Sequence, residues 1–124
     1  MEKVFPAGSR EAILGFHLAD RLKAELQVAS NLLQNLREMS GPEALGARRL
    51  YMEFLRSLDQ DMTLCQSIIS ESEMVRLKTV FTGLRGLVAE GQLADIQTNL
   101  TWMITIMTTY AQRAMEYLIK EKLL

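Results

Sequence analysis

A single histidine, His17, and a single cysteine, Cys65, are too few ligands for a zinc site, and no Glu-x-x-His pair is present for a di-iron bundle. One cysteine closes no internal disulfide, and its place on an apolar stripe marks Cys65 as a small core side chain. Charge is nearly balanced, with 14 Lys and Arg against 15 Asp and Glu, so the basic surplus of a nucleic-acid module is missing. No apolar run is long enough to span a bilayer, and Met1-Glu2-Lys3-Val4-Phe5-Pro6 contains no stretch that reads as a signal peptide. Period-two alternation long enough for a strand is also lacking, as are repeats and low-complexity tracts. These absences point to a helical protein of the cytoplasm, with no metal, no cofactor, no nucleic-acid partner and no membrane partner.

What is present is apolar spacing at three and four. The 124 residues, 48% of them hydrophobic, suffice for one domain with one core. Residues 1–8 read as a short arm broken by Pro6 and Gly8, with Val4 and Phe5 free to lie over a neighbouring helix. Ser9 as N-cap and Glu11 in the first turn open a helix over about 10–39, whose apolar face is Leu14, Leu18, Leu22, Leu26, Ala29, Leu33 and Leu36. Ser40-Gly41-Pro42-Glu43 ends that helix and starts the next: Gly41 suits a C-terminus, Pro42 a first turn, and Ser40 with Glu43 a capping box.

The second helix, about 43–69, carries Ala47, Tyr51, Phe54, Leu58, Met62, Cys65 and Ile69 inward and Arg49, Glu53, Arg56 and Gln60 outward. Ser70 and Glu73 again have capping-box spacing, which favours a turn there over one continuous helix from 43 to 90. A third helix, 73–90, presents Leu77, Val80, Phe81, Leu84, Leu87 and Val88, with Gly83 and Gly86 off that face and Gly91 ending it. The last helix spans 92–122, with Lys120 and Lys122 where the dipole favours cations. Short connections make neighbours antiparallel. The expected fold is all-α: an antiparallel up-down-up-down four-helix bundle over residues 9–124 behind the arm.

Catalytic chemistry finds no convergent set. Asp59 with Asp61, and Glu71 with Glu73, are two apart and diverge on a helix by about 160°. No serine lies in a glycine-rich elbow, and Cys65 has no histidine beside it. Gly83-Leu84-Arg85-Gly86 resembles a phosphate clamp only as a string, and Arg37, Arg48 and Arg49 are too few for nucleic acid. Met62, Met103 and Met107 fall on core stripes, although a Met-rich groove can also hold a peptide or an apolar ligand. An enzyme is not expected.

The most informative stretch is Ile96 to Gln112, seventeen residues without a charge, eight of them Thr, Asn or Gln. Leu93, Ile96, Leu100, Met103, Ile104, Met107, Ala111, Ala114 and Leu118 share one face of a helical wheel. Trp102 and Ile106 lie more than about 100° from its centre, with Asn99, Tyr110 and Tyr117 in between; Thr98, Thr101, Thr105, Thr108 and Thr109 fill the rest. In a lone bundle those positions would carry Glu, Lys and Arg. Charge depletion around an aromatic anchor is how the core of an interface reads. The expected interface is therefore Trp102, Ile106, Thr98, Thr105, Thr109, Tyr110 and Tyr117; the competing readings are that Val4 and Phe5 cover it, or that these are scattered exposed side chains of an ordinary surface. The expected function is a non-catalytic interaction protein (adaptor, small chaperone or complex subunit) that forms a homodimer through this helix and offers a partner helix a groove. The alternative is a bundle holding a small apolar ligand in a Met- and Leu-lined cavity.

Overall fold

The computed structural model describes residues 4–123. Four helices follow in order: α1 (Ser9–Arg37), α2 (Gly41–Leu64), α3 (Glu71–Ala89) and α4 (Ile96–Lys120), with a 3-10 turn at Cys65–Ser67 between α2 and α3. Each connection is short, so successive helices run antiparallel. α1 packs on α2, α2 on α3, α3 on α4, and the ring closes through the most extensive contact, α1 against α4. The fold is the up-down-up-down four-helix bundle expected from the spacing, with a short arm ahead of α1.

Backbone chemistry places the breaks. Gly41 and Gly91 both have positive φ, 66° and 76°, a region open to glycine without a Cβ penalty. At the end of α3 the Gln92 N–H donates to the Leu87 carbonyl (2.9 Å) and the Gly91 N–H to the Val88 carbonyl (3.0 Å), a complete Schellman pair. That pair delays α4, which starts at Ile96 rather than Gln92 as the spacing suggested, with Asp95 ahead of it. Ser70 caps α3 as expected: its Oγ accepts from the Glu73 N–H at 3.3 Å. Ser40 and Ser9 make no such bond, and Gly8 stands at the cap position of α1 while Glu11 accepts from the Ala7 N–H at 3.1 Å.

One hydrophobic cluster joins all four helices and Phe5 of the arm. On α1 the inward row differs from expectation. Ala12, Gly15 and Ala19 are buried in place of Leu14 and Leu18; Leu14 is 46% exposed. Both rows are apolar, and the row of small residues lets α1 approach α4, which itself carries Ala111 and Ala114 on its buried side. On α2 Leu55 is fully buried, like Leu58 and Met62, where the spacing puts Phe54, which is half-buried. Met62, Met103 and Met107 fill the core. Tyr51 ties α2 to α1: its buried hydroxyl donates to the Ala29 carbonyl at 2.8 Å, and burial pushes its pKa well above the ordinary phenol value.

Gly83 and Gly86 face open space, with nothing within 4 Å of where a Cβ would sit, so no close backbone approach explains them. Gly83→Ala and Gly86→Ala are each expected to stabilise the protein by about 0.5–1 kcal/mol through lower unfolded-state entropy. The check is an upward shift in the midpoint of a denaturant titration.

Candidate protein-protein interface

α4 holds the expected interface residues in three different environments. Thr98 and Thr105 are exposed, as is Thr101 between them. Trp102, Ile106, Thr109 and Tyr117 are half-buried, and Trp102 and Ile106 pack against the edge of the core. The Arg76 guanidinium of α3 sits 5.5 Å from the Trp102 ring centroid, a cation–π contact over the indole face. Tyr110, by contrast, is 4% exposed and belongs to the interior, so the side chain is not presented to an outside partner.

The cover over Tyr110 is Phe5. Their ring centroids are 5.2 Å apart and tilted by 55°. The Phe5 ring rests directly on Gly15, where a Cβ would overlap it. Burial, with the Glu73 carboxylate next in effect, raises the Tyr110 pKa. Val4 is 76% exposed. The arm thus occupies a notch between α1 and α4, away from the exposed threonines.

The threonine face has a specific hydrogen-bonding state. Thr105 Oγ1 donates to the Thr101 carbonyl (3.0 Å), Thr108 Oγ1 to the Ile104 carbonyl (2.8 Å) and Thr109 Oγ1 to the Thr105 carbonyl (3.0 Å). With the hydroxyl protons turned back onto the helix, these positions ask little of water as donors. Beside them runs an uncharged seam to α1: Gln97 Oε1 accepts from Ser30 Oγ (2.9 Å) and Gln34 Nε2 (3.4 Å), while Gln97 Nε2 donates to Thr101 Oγ1 (3.3 Å).

Asp59 and Asp61 go to structural work. Asp59 turns to α3, where Lys78 Nζ lies 3.0 Å from its Oδ1 and 2.6 Å from Thr63 Oγ1. Asp61 turns the other way, to α1, with Arg21 Nη2 at 3.5 Å from its Oδ2. Arg21 Nε also holds Glu25 Oε1 at 3.0 Å. Desolvation first, and the neighbouring Asp61 carboxyl next, raise the Glu25 pKa above the ordinary glutamate value. Among the described residues no group of three His, Cys, Asp or Glu side chains could hold a metal ion, and no helix is long and apolar enough to cross a membrane.

Cys65 is 1% exposed, and burial pushes its thiol up to about 11, with Asp61 and Glu25 adding to the shift. The thiolate is the reactive form. Native protein is therefore expected to leave Cys65 unmodified by iodoacetamide at pH 8 over a time that fully alkylates it in denaturant, as intact mass would record.

No protein-family model matches this chain, and neither the curated proteins nor the solved structures offer a match.

Proposed function

We propose that this chain is a non-catalytic helical-bundle interaction protein, acting as an adaptor, small chaperone or complex subunit, that self-associates through α4. One observation carries the reading: the outward side of α4 runs from Ile96 to Gln112 without a charge and leaves Thr98, Thr101 and Thr105 exposed. On α2 the corresponding outward positions are Arg49, Glu53, Arg56 and Gln60, as water contact requires. Back-bonded threonines and half-buried Trp102 and Ile106 can be desolvated at far lower cost than lysine or glutamate. Ser30 and Gln34 of α1, joined to α4 through Gln97, widen the uncharged surface. The arm supports the same reading, because Phe5 is committed to Tyr110 and Gly15 rather than to Trp102.

The test is sedimentation equilibrium of the wild type and of Thr101→Glu/Thr105→Glu. Both positions are exposed, and glutamate is the better helix former, so the fold persists. The variant is expected to have half the wild-type mass with unchanged helicity. Equal masses overturn the reading.

A further inference from the structure

The α1/α2 side of the bundle carries the larger exposed apolar surface, and its layout reads the same from either end. On α1, Leu14, Arg21 and Val28 are seven apart, as are Leu18, Glu25 and Leu32 one turn further on; on α2, Leu50, Ser57 and Leu64 repeat the step. Residues seven apart share a helix face. Leu50 is 75% exposed, Leu64 55%, Leu14 and Val28 46% each and Leu32 40%.

Two apolar lobes result. One is the groove of about 210 Å³ lined by Leu32, Asn35, Met39, Ala47 and Leu50. The other is the recess formed by Arg10, Ile13, Leu14 and His17, with Leu64 at that end of α2. Between them stands the charged cluster Arg21, Glu25 and Asp61. The antiparallel register is fixed by Tyr51 on Ala29 and Arg21 on Asp61, which sets Ser57 level with the middle of that cluster.

We propose that this face is an interface with a second copy of the chain, related by a two-fold axis near residues 23–24 of α1 and Ser57 of α2. An isologous contact needs a self-complementary patch. Rotation about that axis sets the Leu14 lobe of each copy on the Val28–Leu32–Leu50 lobe of the other. It also brings each Arg21 level with Glu25 of the other copy across the axis, so the two Arg21–Glu25 pairs can exchange partners. Charge at the centre thus fixes register, and the lobes exclude water. From Leu14 to Met39 the face is about 38 Å long and, across two helices, about 20 Å wide. That is on the order of 700 Å² per partner, close to the roughly 800 Å² of a standard interface. The contact is separate from the one on α4 and does not depend on it.

The experiment is sedimentation equilibrium of the full chain with Leu50→Asp, paired with copper-catalysed oxidation of an Ala24→Cys variant. Leu50 is an exposed side chain whose change leaves the core intact, and Ala24 is exposed beside the axis while native Cys65 is buried. Leu50→Asp is expected to halve the mass. Ala24→Cys is expected to form disulfide-linked dimers, Val75→Cys on α3 is expected to form none, and adding Leu50→Asp is expected to abolish the cross-link. Unchanged mass in Leu50→Asp, or no cross-link at Ala24, overturns the proposal. Failure of the α4 contact leaves both of these readouts intact, because it is read in the Thr101→Glu/Thr105→Glu variant alone.

Discussion

Phe81→Ala is expected to lower the stability of the protein by about 3–5 kcal/mol, the range for removing a fully buried phenylalanine. Phe81 is 0% exposed and heads the fully buried side chains in volume. It sits on α3, the shortest helix at 19 residues, where two exposed glycines leave little intrinsic helix preference to compensate. The loss therefore falls on the element least able to absorb it. Against a typical total of about 5–15 kcal/mol, such a change takes about a fifth of the stability at the least and lowers the melting temperature by roughly 10–20 °C. Val80, the half-buried neighbour, is expected to cost less than about 1.5 kcal/mol when cut to alanine. Calorimetry of the two variants separates them, and near-equal losses would contradict the way α3 faces the core.

Gly15→Ala is expected to change sign with its background. In the wild type the added methyl overlaps the Phe5 ring and evicts it from the notch over Tyr110. The lost burial of a phenylalanine, about 1.5–3 kcal/mol, outweighs the gain of about 1 kcal/mol from alanine in a helix, so the variant is less stable by about 0.5–2 kcal/mol. In a Phe5→Ala chain the ring is already gone; Ile68 Cγ2, 3.4 Å from the new Cβ, is then in ordinary contact. There Gly15→Ala should stabilise by about 1 kcal/mol. The double-mutant cycle reports this as a coupling of about 1.5–3 kcal/mol. Effects of the same sign in both backgrounds would show that Phe5 does not seat on Gly15.

The helix breaks were legible where they depend on backbone chemistry. Gly41 and Gly91 announce a left-handed residue, and Ser70 with Glu73 announces a cap, each within a few residues of chain. The apolar periodicity of all four helices was legible for the same local reason. What periodicity could not supply was a choice between adjacent rows on α1. Leu14–Leu18 and Ala12–Gly15–Ala19 both repeat at three and four, and the closeness of α4 decides for the small row. Tyr110 escaped for a related reason, since its cover, Phe5, arrives from more than a hundred residues away. The outward threonines of α4 were legible because missing charge is visible in one dimension. The α1/α2 face was not, because Leu14 and Leu18 read as core until α1 is seen turned.

An even number of alternating helices has a consequence for how the molecule can be held. Ser9 and Lys120 lie at one pole, and the Ser40–Gly41 and Glu90–Gly91 bends lie at the other. A tether, tag or fused domain joined at either end of the bundle leaves from the same pole. A copy anchored there stands upright and presents its long flanks sideways, free to meet neighbours anchored on the same support.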